Sequence, residues 1–173
     1  MDLLKKALLV AEKAHQNQSY GIFPYMYHIL DVISVLEEIY AKKYISRIIK
    51  TEIIVSCALH DALEDSDLSY NDIKKVFGEN IAEIVYAVTD ELGRNRKERK
   101  EKTYPKIKAN YKAVIVKVCD RISNMRNAKE TNKKMFDMYV KENNDFYHNL
   151  HSDEHPELVK LAWDKLKSIH DEK

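Results

Sequence analysis

Apolar residues recur along this chain mostly at three- and four-residue intervals, the period of helices with one buried face. Leu3, Leu4, Ala7, Leu8, Ala11 and Ala14 mark one face of a first helix. A break follows at Ser19-Tyr20-Gly21-Ile22-Phe23-Pro24, and a second helix presents Ile29, Val32, Ile33, Leu36 and Ile39. A third, from about Ser46 to Leu63, is apolar nearly all round at Ile53, Ile54, Val55, Cys57, Ala58 and Leu59, which predicts a central, buried element. Ser69 with Asp72 three residues on reads as a capping box, and the short helix it opens stops at Phe77-Gly78. Ile81, Ile84, Val85 and Val88 carry the next helix.

The stretch from Arg94 to Lys108 is dense in charge, with almost no apolar face before Ile107, and reads as a solvated helix or a mobile loop. The run Ala113 to Cys119 could pass for a strand by composition. It continues without a break through Asp120, Ile122, Asn124 and Met125, so a buried helix is expected. Two further helices carry Met135, Phe136, Met138 and Tyr139, then Leu158, Val159, Leu161, Ala162, Leu166 and Ile169, with Pro156 at a first-turn position. The expected fold is all-α, one domain over residues 1–173, with helices packed around the third.

Composition narrows the class. The formal net charge is +1, with both signs interspersed, so the basic footprint of a nucleic-acid binder is absent. No apolar run is long enough to span a membrane, and the N-terminus lacks the apolar run of a signal peptide, which points to the cytoplasm. Cys57 and Cys119 sit within apolar helical stretches, read as small core residues rather than a disulfide or zinc site.

Three local features carry chemistry. His60-Asp61 stands at the end of a buried helix, where a polar pair is costly unless satisfied, either by a shared cation or by hydrogen bonding of a core histidine beside a capping aspartate. Glu64 and Asp65 lie three and four residues beyond Asp61 and share its face if the helix continues. Three carboxylates so close call for a cation or a retained proton, unless they are an ordinary acidic helix end. Asp120 closes another apolar run with Asn124 one turn on, and reads as a metal ligand or as half of a surface Asp–Arg pair with Arg121. His28 opens a helix after Pro24-Tyr25-Met26-Tyr27. Two imidazoles and two carboxylates suit Mn²⁺, Fe²⁺, Zn²⁺ or Mg²⁺ in a site completed by water.

The order His28, His60-Asp61, Asp120 resembles the pattern of the HD superfamily of metal-dependent phosphohydrolases. The likeness is closest to the hydrolase domains of RelA/SpoT-type enzymes and their small stand-alone relatives. It rests on Gly21-Ile22-Phe23-Pro24-Tyr25-Met26-Tyr27-His28, Ala58-Leu59-His60-Asp61-Ala62-Leu63-Glu64-Asp65, Ile84 to Asp90, and Val116 to Arg126. The resemblance implies an HD-type helical bundle that hydrolyses the 3′-pyrophosphate of guanosine tetra- and pentaphosphate with one Mn²⁺. It implies His28, His60, Asp61 and Asp120 as metal ligands, Glu64 and Asp65 as the groups that orient or deprotonate water, and Asn124 near the nucleotide. Arg121 and Lys97 are further expected substrate contacts, with Arg99 and Lys100 beside Lys97.

The sequence departs from the family pattern where Ser19-Tyr20 replaces basic residues, where Ile29 replaces a proline, and where Asn127 replaces a threonine. Those departures leave metal binding intact and open the base preference. An adenosine counterpart, the 2′-phosphate of NADPH, a deoxynucleoside monophosphate, or a non-catalytic nucleotide-binding module are the alternatives. The expected partner is a small nucleotide, with neither nucleic acid nor membrane; the sequence gives no oligomeric state.

Overall fold

The computed structural model describes residues 2–41 and 43–171. Among them helices dominate: α1 (Leu3–Ala14), α2 (Met26–Tyr40), α3 (Arg47–Leu59), α4 (Tyr70–Phe77), α5 (Glu79–Val88), α6 (Arg96–Ala109), α7 (Tyr111–Thr131), α8 (Lys133–Leu150) and α9 (Glu157–Asp171). The all-α expectation is met. No described helix is long and apolar enough to cross a membrane.

The break before α2 turns out to be a small antiparallel hairpin, β1 (Ser19–Tyr20) and β2 (Phe23–Pro24), in which Tyr20 faces Phe23. Gly21 takes φ 64°, a positive first turn position that glycine adopts without steric cost. Two residues per strand are too few for a sheet signal in the sequence, so only the turn chemistry was visible.

The hub of the bundle is α7 rather than α3. Helix α7 packs against α2, α3, α5, α6, α8 and α9, whereas α3 packs against α1, α2, α5 and α7. Val114, Ile115, Val116, Val118, Cys119, Ile122 and Met125 are all buried, so this part of α7 is surrounded on every side. Its polar residues masked this in the sequence, because Asp120, Arg121 and Ser123 are buried as well.

Helix α3 stops at Leu59, four residues earlier than its pattern suggests, and residues 60–65 continue as successive turns. The backbone closes these turns through Ala62 N to Leu59 O and Glu64 N and Asp65 N to Asp61 O. At the other end Ser46 caps α3 by accepting from Ile49 N. The capping box at α4 forms as expected, with the Ser69 side chain accepting from Asp72 N and Asp72 accepting from Ser69 N at 2.9 Å. Gly78, at φ 91°, ends α4 and starts α5. Pro156 stands just before α9 rather than in its first turn, and its carbonyl accepts from Val159 N at 2.9 Å.

The charged stretch is a helix. Asn95 caps α6 by accepting from Glu98 N, and Thr103, Tyr104 and Ile107 supply the buried face the charges had hidden. Cys57 and Cys119 are buried and free.

Candidate metal centre

Three elements converge at one point on the α7 hub. Helix α2 contributes His28 from its first turn, the end of α3 contributes His60 and the turn after it Asp61, and α7 contributes Asp120. His28 Nε2 lies 3.3 Å from His60 Nε2 and 3.4 Å from Asp120 Oδ1. Asp61 Oδ2 lies 2.9 Å from His60 Nε2 and 4.0 Å from His28 Nε2. His28, His60 and Asp120 form the tightest group, each offering one ligand atom within 4.8 Å of the others, and Asp61 joins it through Oδ2.

Both imidazoles are fixed from behind. His60 Nδ1 donates to the Cys57 carbonyl at 2.9 Å, so Nε2 is the nitrogen turned to the cluster. His28 Nδ1 is 3.1 Å from Ser123 Oγ, a partner one residue before Asn124 on α7. Such outer contacts set tautomer and ring orientation in metal-ligating histidines. His28 and His60 are each 1% exposed, so neither nitrogen has water as an alternative.

The charges around the cluster are lopsided. Asp120, Asp61, Asp90 and Glu64 all act on the ammonium of Lys117, which lies 3.3 Å from Asp120 Oδ2 and is held above the ordinary lysine range despite its burial. Burial pulls the His60 imidazole down, but Asp61 and Asp120 outweigh it and hold it up at about 9. Asp61 and Asp120 are held below the carboxylate range against their burial, Asp61 chiefly by His60 and Asp120 chiefly by Lys117. Two imidazole nitrogens and two anionic oxygens, in surplus negative charge, are the donor set of a borderline-to-hard divalent cation, which would displace the His60 proton. The residues fit such an ion.

Asn124, one turn beyond Asp120, donates from Nδ2 to Asp120 Oδ1 and accepts from the Tyr20 hydroxyl at 3.0 Å. Glu64 borders the cluster. Burial pushes its carboxyl above the ordinary glutamate range, with Asp61 adding to the rise, while the Asp90 amide and Lys117 oppose it. The Asp90 amide donates to Glu64 Oε1. Asp65 faces α1 instead, 3.8 Å from His15 Nδ1.

The remaining two expected contacts sit elsewhere. Lys97 projects into solvent, its side chain 87% exposed and 3.8 Å from Glu101. Arg121 turns into the α7–α8 interface, stacked between Tyr139 and Phe146 and 3.3 Å from Glu142 Oε2. Glu142 in turn accepts from Arg96 at 3.1 Å and lies 2.7 Å from Lys100, so three cations surround one carboxylate.

Sequence reasoning gave no role to Tyr20, Tyr25 or Lys117. Tyr25 donates to Asp61 Oδ2 and its ring stacks on His15 at 4.5 Å. Tyr20 stacks on His28 at 4.7 Å. Lys117 left a signal, as a charge inside Val114 to Cys119 three residues before Asp120. Tyr25 sits one turn before His28, but a tyrosine there is equally a packing residue.

The HD domain family model matches residues 7–153. The chain belongs to the HD domain family. It is 30% identical over 131 residues to the bifunctional (p)ppGpp synthase/hydrolase SpoT of Escherichia coli, a match that covers 71% of this chain and 18% of SpoT. The guanosine-3′,5′-bis(diphosphate) 3′-pyrophosphohydrolase MESH1 of Danio rerio is 30% identical over 128 residues, covering 72% of this chain and 67% of MESH1. The structure superimposes with a TM-score of 0.75 and 21% identity on one described as a metazoan ortholog of SpoT that hydrolyses ppGpp, covering 99% of this chain and 97% of that one. A protein from Listeria monocytogenes matches with a TM-score of 0.61 and 23% identity, over 86% of this chain and 98% of the other. These likenesses establish the HD helical fold.

Proposed function

We propose that this protein is a metal-dependent phosphohydrolase that removes the 3′-pyrophosphate from guanosine tetra- or pentaphosphate, giving a nucleoside di- or triphosphate and pyrophosphate. The observation that carries the reading is the convergence of His28 Nε2, His60 Nε2, Asp61 Oδ2 and Asp120 Oδ1, with both rear imidazole nitrogens already engaged. The activity named for MESH1 and SpoT supports the choice of substrate. The family match over residues 7–153 supports taking residues 1–173 as one hydrolase domain.

Mn²⁺ is the proposed ion, with Fe²⁺, Zn²⁺ and Mg²⁺ compatible with the same donors. A bound divalent ion supplies charge stabilisation and a more acidic water. The protein's own groups do the rest. His28, His60, Asp61 and Asp120 hold the ligand geometry. Tyr25 and Asn124 orient Asp61 and Asp120. Glu64, held above the ordinary glutamate range by burial and anchored by the Asp90 amide, is the group we assign to take the proton from water. Asp65, 3.8 Å from His15 Nδ1 on the α1 side, is kept as the secondary carboxylate.

The expected nucleotide contacts move with the geometry. Asn124, on the Tyr20 side of the cluster, remains the proposed contact to the nucleotide. Arg96 and Lys100, with Arg121 behind them, replace Lys97 as the proposed anchor for phosphate oxygens, because among the described residues Glu142 is the one carboxylate paired with these three cations.

The test is incubation of Mn²⁺-loaded protein with ppGpp, the products resolved by anion exchange, beside an Asp61→Ala control. Release of GDP and pyrophosphate, lost in the control, is the expected result. Orthophosphate release, or no turnover with Mn²⁺ bound, would overturn the substrate assignment.

A further inference from the structure

Tyr20 is the residue through which the β1–β2 hairpin reaches the cluster. The hairpin turns at Gly21, pairs Tyr20 with Phe23, and is tied to the start of α2 where Tyr25 N donates to Gln18 O at 3.2 Å. Tyr20 thereby meets two helices at once. Its ring lies on the His28 imidazole of α2 at 4.7 Å and 27°, with the Tyr25 ring edge-on at 6.3 Å. Its hydroxyl donates to Asn124 Oδ1 of α7 at 3.0 Å, across 104 positions of sequence.

The hydrogen bonds run one way. Asp120 is held below the carboxylate range, and a carboxylate only accepts, so Asn124 turns Nδ2 toward it. Oδ1 is then left on the other side, where the Tyr20 hydroxyl is the one side-chain donor to it among the described residues. An asparagine amide is roughly two-fold about its last torsion, so shape alone does not decide which end faces Asp120. The donor on Oδ1 does.

The oxygen that Asn124 holds is the one turned to the imidazoles. Asp120 Oδ1 lies 3.4 Å from His28 Nε2 and 3.8 Å from His60 Nε2, whereas Oδ2 is 3.3 Å from Lys117 Nζ. Without the Tyr20 hydroxyl the amide can swing Nδ2 off that oxygen, or present its own Oδ1 there against like charge. Hydrogen bonds to ligating carboxylates are part of what fixes a metal site. We propose that Tyr20 is a positioning residue of the metal centre, its hydroxyl fixing the Asn124 amide so that Nδ2 holds Asp120 Oδ1 toward the two imidazoles. This role rests on the metal centre proposed above, but on no particular nucleotide.

The experiment measures Mn²⁺ affinity by equilibrium dialysis, without nucleotide, for the parent protein, Tyr20→Phe, Asn124→Ala and the double variant, each checked for folding by circular dichroism. Ile22→Ser, at the 91% exposed hairpin tip, is the control. Tyr20→Phe keeps the ring on His28 and deletes the hydroxyl. It should weaken Mn²⁺ binding about fivefold, the worth of one net hydrogen bond. The metal-free melting temperature should fall by no more than about 4 °C. Asn124→Ala should weaken binding about 10- to 100-fold, and the double variant no further, because the hydroxyl acts through the amide. Ile22→Ser should match the parent. Unchanged affinity in Tyr20→Phe overturns the proposal. So do losses that multiply in the double variant, which would route the hydroxyl through Ser123, its other hydrogen-bond neighbour, whose Oγ is 3.1 Å from His28 Nδ1. A loss reproduced by Ile22→Ser overturns it too, since the hairpin and not the hydroxyl would be responsible. A parent that binds no Mn²⁺ overturns the metal centre and this role together. Non-additive loss in the variants supports the role of Tyr20 even where ppGpp is not hydrolysed.

Discussion

The Tyr25 hydroxyl donates to Asp61 Oδ2, the same carboxylate oxygen that lies 2.9 Å from His60 Nε2. One oxygen is thereby aimed into the cluster by a residue with no contact to the other ligand side chains beyond an edge-on ring packing against His28. Tyr25→Phe keeps the ring stacked on His15 and deletes only the donor. Affinity for Mn²⁺ should fall about 10- to 100-fold, as for other outer partners of metal ligands. Thermal stability of the metal-free protein should change by no more than about 1 kcal/mol. Equilibrium dialysis beside a melting curve separates the two effects; a large drop in stability with intact metal affinity would assign Tyr25 to packing.

His60→Ala removes a proposed ligand outright. Pyrophosphate release should fall more than about 100-fold, beyond the usual effect of outer contacts, and stoichiometric metal should be lost. Elemental analysis of the purified variant checks the second half. Full metal occupancy in His60→Ala would mean that the ion binds elsewhere.

Glu64 sets the expected pH dependence. Burial raises its carboxyl, so the group is still partly protonated above the ordinary glutamate range. A base works only when deprotonated, so activity should rise with pH along a one-proton limb lying above that range. Glu64→Gln should flatten the limb and lower kcat by about 10²- to 10⁴-fold. The sign for stability is opposite. A carboxyl whose folded pKa is raised disfavours folding once ionised, so metal-free Glu64→Gln should melt at a higher temperature than the parent at neutral pH. A lower melting temperature would show that Glu64 is held for structure.

Glu142 joins α8 to Arg96 and Lys100 of α6 and Arg121 of α7. Burial raises its carboxyl, but the Arg96 and Lys100 hydrogen bonds outweigh this and bring it down to about 2. A depressed carboxyl contributes stability that is complete above its unfolded pKa and is lost as pH falls from there toward about 2. Glu142→Gln should cost about 1–3 kcal/mol at neutral pH, below the figure for a fully buried pair because the side chain is 22% exposed. Urea unfolding at neutral and acid pH should show the gap closing as pH falls. A gap independent of pH would mean that shape rather than charge holds α6 to the bundle.

Much of this protein was legible before any coordinate. The helices announced themselves through period and caps: Ser69 with Asp72 opened α4, Gly78 closed it, and Ile81 to Val88 carried one buried face. His60, Asp61 and Asp120 were marked as candidates by their place at the end of apolar runs, where a polar residue must find a partner, and His28 by the family resemblance. These are local facts, set by nearest-neighbour sterics and by the cost of burying a charge.

Tertiary structure decided what local rules cannot. It brought His28 within 3.3 Å of His60 and 3.4 Å of Asp120 across three elements. It turned Arg121, neighbour of a ligand in sequence, away into the aromatic seam of Tyr139 and Phe146, because successive helical residues point about 100° apart. It left Lys97 in solvent and drew Arg96 and Lys100 onto Glu142, 46 residues from Arg96 in the chain. It made α7 the hub, since which of two apolar helices is surrounded depends on how all the others pack. The sequence by itself determined the helices and the chemistry each can bring. Which side chains meet was decided only when nine described helices closed on one core, because contact between distant residues depends on the packing of every element between them.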